Sequence, residues 1–244
     1  MNNLFSRIDI LGVPFDNVTK TEAVEYAYKI QSEHKAYYVV TPNPEIVMRA
    51  REDEEMLSAV KDAELVIPDG IGVIYGAKFL GTPMKERVPG IDFTTALMEK
   101  MNEEGRSVFL FGSKPGVADK AAENLSARYP RIRFVGTNDG YFTDDEPIIE
   151  KINSAKPDLM LVCLGAPKQE KWMQKNAHRL DVGLMIGAGG SLDVFAGIVE
   201  RAPEKWQKLG LEWLYRLKKE PKRIIRMMNL PKFMIVVIFS KIRG

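Results

Sequence analysis

Short apolar runs, each closed by glycine or proline, constrain this chain more than any other feature. Tyr37–Thr41 stops at Pro42, and Leu65–Ile67 stops at Pro68-Asp69-Gly70. Val108–Phe111 stops at Gly112, Ile132–Val135 at Gly136, Leu159–Leu164 at Gly165 and Gly183–Ile186 at Gly187. Runs this short and this uniformly apolar read as strands buried on both faces. Helical patterns fill the gaps: Thr19 to about Glu33, Pro44 to Val60, Ile91 to Glu104, Pro115 to Arg128, Asp145 to Ala155 and Pro167 to His178. Thr19 and Glu22 form a capping box, and Pro115 and Pro167 read as first-turn prolines. Strands and helices alternating at this interval predict an α/β fold, a Rossmann-like, mostly parallel sheet with helices on both faces.

Composition agrees. The 244 residues are 45% hydrophobic and 28% charged, which suits a globular α/β domain and excludes collagen, coiled coil and disorder. The single cysteine, Cys163, excludes a disulfide scaffold and fits a reducing compartment. His34 and His178 lie far apart without cysteine partners, which argues against a zinc site. No long apolar run opens the chain, so no signal peptide is expected.

Charge divides the chain in two. From Arg201 onward there are 12 Lys and Arg against 3 Asp and Glu, although the whole chain carries only +2. A body over residues 1–200 and a basic amphipathic C-terminal appendage over 201–244 are therefore expected. Such a tail calls for an anionic partner: nucleic acid, a phosphorylated ligand or a membrane surface. Within it, Leu209, Trp213 and Leu217 recur at helical spacing to about Lys219. Lys222, Arg223 and Arg226 oppose Ile224, Ile225 and Met228 on a helical wheel. Pro231 is read as a further break, after which Phe233–Phe239 is apolar throughout. That run is too short to span a bilayer, which needs about 20 residues. It suits either a helix lying in the membrane interface or one docked on the body or in a dimer interface, and the positive charge favours the membrane.

Ligands in parallel sheets bind beyond the carboxyl ends of the strands. This rule selects the peptides at Thr41–Glu45, Pro68–Gly72, Phe111–Lys114, with Gly112 at its turn, and Leu164–Glu170. Asp69, between Pro68 and two glycines, is a candidate general base whose alternative role is a helix N-cap. Gly70-Ile71-Gly72-Val73-Ile74-Tyr75-Gly76 imitates a dinucleotide fingerprint but is one residue too long, and an aspartate precedes it. Gly187-Ala188-Gly189-Gly190-Ser191 offers backbone N–H groups, Gly189 among them, that suit a phosphate. No Asp-x-Asp pair exists to hold a divalent cation on a diphosphate. A diphosphate would have to meet arginines instead, with Arg87 and the tail arginines as candidates, although a surface ion pair is the plainer reading of Arg87. Cys163, inside an apolar strand, reads as core.

Seven motifs in this order together resemble one bacterial family. They are Thr-Pro-Asn-Pro-Glu at 41–45, Pro-Asp-Gly-Ile-Gly-Val at 68–73, Glu-Arg-Val-Pro-Gly-Ile-Asp at 86–92 and Phe-Leu-Phe-Gly-Ser at 109–113. Leu-Gly-Ala-Pro-Lys-Gln-Glu at 164–170, Gly-Gly-Ser-Leu-Asp-Val-Phe-Ala-Gly at 189–197 and Arg-Ala-Pro-Glu-Lys-Trp at 201–206 continue the match. The chain resembles the TagA/WecG/CpsF glycosyltransferases, which build surface polymers on a lipid carrier, and within them the branch that makes the wall teichoic acid linkage unit. The resemblance implies an inverting, metal-independent transfer of N-acetylmannosamine from its UDP donor, with no cofactor. The implied acceptor is N-acetylglucosamine linked through diphosphate to undecaprenol. It implies Asp69 as base, Thr41 in contact with the substrates, and Asn43, Arg87 and Gln169 lining the donor site. It also implies that Arg216, Arg223 and Arg226 close over the leaving group.

The expected protein is thus a cytoplasmic enzyme, peripheral on the inner face of the membrane, with no nucleic-acid partner and with self-association possible. Family neighbours use N-acetylmannosaminuronic acid or glucose, so other UDP-sugars remain alternatives. An NAD-dependent sugar oxidoreductase is the rival from another class. Its cost is the nonconforming glycine pattern. A nucleic-acid-binding protein is a further rival, disfavoured because the tail mixes its charge with long apolar runs.

Overall fold

The computed structural model describes residues 4–221 and 224–243. The chain opens with a hairpin, β1 (Arg7–Ile10) and β2 (Val13–Asp16), then α1 (Lys20–Ile30) and β3 (Tyr37–Val40). There follow α2 (Pro44–Ala50), α3 (Glu54–Lys61), β4 (Leu65–Val66), α4 (Ile71–Leu80) and α5 (Gly90–Glu104). The second half holds β5 (Ser107–Gly112), α6 (Val117–Arg128), β6 (Arg133–Asn138), α7 (Glu146–Ala155), β7 (Leu159–Cys163), α8 (Lys168–Asn176) and β8 (Leu184–Gly187). The chain ends through α9 (Ser191–Phe195), α10 (Glu204–Lys208), α11 (Glu212–Lys219), α12 (Ile224–Met227) and α13 (Asn229–Arg243).

Six strands form one sheet in the order β4-β3-β8-β7-β5-β6, and every neighbouring pair is parallel. The expected α/β architecture is therefore present. Strands β5, β7 and β8 are buried along their whole length, which is why their sequences are continuous rather than alternating apolar runs. Successive residues feed two cores on opposite faces of the sheet. Phe109, Phe111, Met160, Val162 and Met185 join one, and Val108, Leu110, Leu159, Leu161 and Ile186 join the other.

Several boundaries differ from the sequence reading. The helix expected over Pro44–Val60 is two helices, because the Asp53 carboxylate accepts from Met56 N at 3.0 Å and starts α3 anew. The first helical turns after β5 and β7 begin at Val117 and Lys168, so Pro115 and Pro167 precede their helices. The run expected at Ile132–Val135 pairs instead as Arg133–Asn138 and continues through Gly136, where an added Cβ would meet the Phe109 ring at 2.5 Å. The helix expected from Leu209 to Lys219 is broken at Gly210, whose φ of +70° few other residues tolerate.

The tail differs most. Pro231 does not break the chain, because it falls in the first turn of α13, where a missing N–H costs nothing. Phe233 and Val237 are fully buried and belong to the same core as Val73 and Ala77 of α4. The Phe233–Phe239 run is thus shared between two environments. Its remaining face leaves Ile235, Ile238 and Phe239 exposed, followed by Ile242.

This docking also explains the glycines that imitated a dinucleotide fingerprint. A Cβ on Gly70 would lie 2.6 Å from Pro44, one on Gly72 would lie 2.6 Å from Leu230, and one on Gly76 would lie 2.9 Å from the Phe233 ring. They admit α2 and α13 at close range, the packing role that glycine alone can fill.

Candidate active site

A cleft of about 500 Å³ opens beyond the carboxyl ends of β3, β4, β7 and β8, where parallel sheets place their ligand sites. Thr41 and Asn43 enter it after β3, Asp69 after β4, Gln169 after β7 and Gly189 after β8. Arg87 comes from the loop before α5, and Glu212 and Arg216 come from α11. The sheet and the tail therefore wall the cleft together.

Asp69 is half-buried, and its carboxylate accepts from the backbone N–H of Gly90 at 3.3 Å. Desolvation at this position pushes its pKa above the ordinary carboxylate range. The positive charges of Arg87 and Arg216 and the Gly90 N–H oppose that rise, and the negative charge of Glu212 adds to it. Asp69 is not an N-cap: Gly70 takes that position at the start of α4.

Arg87 reaches across the cleft. Its Nε donates to the backbone carbonyl of Asp69 at 2.8 Å, and its Nη2 donates to Glu212 Oε2 at 3.3 Å. The sequence reading offers either a ligand-binding arginine or a surface ion pair, and the ion pair that exists is with a buried carboxylate inside the cleft. Arg216 Nη2 donates to the other oxygen of Glu212 at 3.0 Å. Arg201 approaches the same oxygen at 3.7 Å while holding Asp92 of α5 with two hydrogen bonds of 2.5 and 2.9 Å.

The remaining expected residues divide in role. Thr41 is buried and donates to the carbonyl of Gly187 at 3.2 Å, tying the end of β3 to the glycine loop. Asn43 caps α2 by accepting from Ile46 N at 3.1 Å, so one end of its amide is committed to the helix. Gln169 is buried; its oxygen accepts from Gly189 N at 3.2 Å and its Nε2 donates to Glu170 Oε1 at 2.9 Å. Gly189 has φ +54° and open space where a Cβ would stand, so the backbone there faces the cleft. Gly112 does not line the cleft. A Cβ there would strike the Cys163 carbonyl at 2.3 Å, so it is a packing glycine between β5 and β7. Arg223 lies outside the described residues, as does the side chain of Arg226. Cys163 is buried and its thiol is pushed up to about 12, which suits core rather than chemistry.

Sequence reasoning missed Glu212. It reads as an ordinary first-turn acid of a basic helix, and only the fold brings it against Arg87, 125 residues earlier. The sequence signal was its isolation: from Arg201 onward it is one of only 3 acidic residues amid 12 basic ones.

The strand-end cleft of this α/β protein thus sets arginines from the body and the tail around a half-buried carboxylate. The model of the Glycosyl transferase WecG/TagA/CpsF family matches residues 8–244. The chain belongs to this family of glycosyltransferases. It is 35% identical over 206 residues to the N-acetylglucosaminyldiphosphoundecaprenol N-acetyl-beta-D-mannosaminyltransferase of Bacillus spizizenii strain W23, covering 84% of this chain and 80% of the relative. The proteins of the same name in Staphylococcus aureus strains MW2 and NCTC 8325 are each 35% identical over 238 residues, covering 97% of this chain and 94% of theirs.

Proposed function

We propose that this glycosyltransferase moves N-acetylmannosamine from its UDP donor to N-acetylglucosamine carried on undecaprenyl diphosphate, with inversion and without a metal ion. The relatives' shared name supports the substrates, because the similarity runs along nearly the full length of both chains. One observation carries the mechanism: a carboxylate held above its usual pKa shares a cleft with arginines from both the body and the tail.

Asp69 takes the proton of the attacking acceptor hydroxyl. The hydroxyl oxygen bonds to the anomeric carbon as the bond from that carbon to the diphosphate oxygen breaks. UDP departs with the electron pair. A single displacement inverts the anomeric centre. A base with a raised pKa is closer to the operating pH and so a stronger proton acceptor. Arg87 and Arg216, joined in this reading by Arg223 and Arg226, stabilise the charge that develops on UDP, which is the task a divalent cation would otherwise perform. Arginine suits a diphosphate because its planar fork donates paired hydrogen bonds. Thr41, Asn43, Gln169 and the Gly189 loop shape the donor pocket around these groups.

The appendage brings the enzyme to its lipid-linked substrate. No helix among the described residues is long and apolar enough to cross a membrane. The outer face of α13 instead exposes Ile235, Ile238, Phe239 and Ile242, with Lys232 and Lys241 beside them and with Tyr75 and Phe79 exposed on α4. An apolar stripe in a basic setting fits a helix lying in the interface on the cytoplasmic side, with a second copy of the chain as the alternative cover. A panel of UDP-N-acetylmannosamine, UDP-N-acetylmannosaminuronic acid and UDP-glucose with a short-chain lipid-diphosphate acceptor tests the reading. Product from the first donor alone is expected; efficient transfer of either other sugar would reassign the donor.

A further inference from the structure

Glu212 is a buried carboxylate of the cleft to which the proposed reaction gives no task. It is only 6% exposed, a costly position for an ionised group unless several donors compensate it. Two guanidiniums donate to it, those of Arg87 and Arg216, and a third, that of Arg201, adds its charge from 3.7 Å without a hydrogen bond. They come from the loop before α5, from α11 and from the segment before α10, so one carboxylate ties the tail to the body at the mouth of the site.

The consequence for Asp69 follows from where Arg87 does not go. Its Nε is spent on the Asp69 backbone carbonyl and its Nη2 on Glu212. Among the described residues, the Asp69 carboxylate has a single hydrogen bond, from Gly90 N, and no guanidinium bonds it. Two arginines beside an aspartate would ordinarily pair with it and quench it as a base. Here Glu212 takes them both, one on each oxygen. Each guanidinium carries five N–H groups, so donors remain on Arg87 and Arg216, and both residues line the cleft.

We propose that Glu212 is a positioning residue, which holds the Arg87 and Arg216 guanidiniums off the Asp69 carboxylate and fixes them as a pair for the donor's diphosphate. This rests on Asp69 being the base, as argued above. The charged groups facing Asp69 are Arg87 from the loop, Arg216 and Glu212 from α11. Of the other carboxylates nearby, Glu45 pairs with Arg49 on α2, Asp92 of α5 pairs with Arg201, and Asp193 accepts a hydrogen bond from the neutral Ser113 hydroxyl. Removing the Glu212 charge therefore acts on Asp69 in one direction by two routes. It deletes a neighbouring negative charge, and it frees two arginines to pair with the base. Both make Asp69 a weaker proton acceptor.

The test is the pH dependence of kcat/KM for sugar transfer by the full chain, comparing Glu212→Gln and Glu212→Asp with the parent, with circular dichroism as the check on folding. Glu212→Gln keeps the shape and loses the charge. Its plateau kcat should fall roughly ten-fold, as expected for a weakened general base, its KM for the donor should rise, and the acid limb of the profile should move to lower pH. Glu212→Asp retracts the carboxylate by one methylene and should move the limb the same way by less. A merely structural Glu212 would lower activity and leave the limb where it was, and that result overturns the proposal. If Glu212→Gln does not fold, Glu212→Asp decides alone on the same criterion. Asp69→Asn serves as the control: near-normal turnover there would sink the base itself, whereas loss of turnover there with an unmoved limb in the Glu212 variants would sink only this inference.

Discussion

Replacing Phe233 by alanine should loosen α13 from the body by an amount the packing sets. The Phe233 side chain is fully buried, with its ring against Gly76, where even a Cβ would come within 2.9 Å of two ring atoms. Truncating a buried phenylalanine costs about 3–5 kcal/mol, and the upper part of that range applies where neighbours cannot collapse into the space. Gly76 has no side chain to offer, so the void persists unless α13 itself shifts. Against a typical domain stability of about 5–15 kcal/mol, the loss is large enough to read by urea unfolding. Hydrogen exchange locates it: amides of residues 229–243 and 71–80 should lose protection ahead of β5, β7 and β8. The reciprocal change sharpens the test. Gly76→Ala gains up to about 1 kcal/mol of helix propensity yet should destabilise the parent through the clash. In the Phe233→Ala background the same change should stabilise, giving a coupling of about 1–3 kcal/mol. A cost below about 1 kcal/mol for Phe233→Ala, or α13 amides that exchange freely in the parent, would refute the docked helix.

Other expectations concern charge and chelation. Because Asp69 has a folded-state pKa raised above its unfolded value, its contribution to stability is full at acid pH and is lost as pH rises through the folded value. Asp69→Asn, always neutral, should therefore be at least as stable as the parent at about pH 7, with the advantage vanishing near the ordinary carboxylate pKa of about 4. A lower melting temperature for the variant at neutral pH would contradict the sign. Transfer should persist in excess EDTA, and activity lost on chelation and restored by magnesium or manganese would reveal a metal requirement. Arg216→Lys should weaken transfer to a soluble short-chain acceptor, which needs no membrane; an unchanged rate would remove Arg216 from the leaving-group site. Truncation at Arg201 is a poorer probe of the tail, since it also strips Phe233 and Val237 from the core.

The sheet was legible because strands buried on both faces need uninterrupted apolar residues, and glycine or proline must release the chain at each end. The hairpin β1–β2 escaped notice although Ile8, Ile10, Val13 and Phe15 carry its pattern. Its two-residue connection, Leu11-Gly12, has φ of +57° and +91°, as tight hairpins require, but leucine does not advertise such a turn. Proline and aspartate misled for positional reasons. Pro231 breaks a helix only from its interior, and Asp53 inside an apparently continuous pattern is a cap. The cleft residues at strand ends were found by the rule that ligands bind there. The exceptions are instructive: Gly112 shares the strand-end position but is consumed by packing on Cys163, and Glu212 matters only through arginines, one of them distant in sequence.

The central claim is that Asp69 takes the proton from the attacking sugar hydroxyl. The direct measurement is single-turnover transfer by Asp69→Asn with a short-chain lipid-diphosphate acceptor, following UDP release and glycosylated product together, with UDP binding measured alongside. Turnover should fall by roughly 10²–10⁴-fold, the usual loss when a general base is removed, while UDP binding stays close to the parent's. Turnover within a few-fold of the parent would contradict the account and send the search for the base to another residue of the cleft.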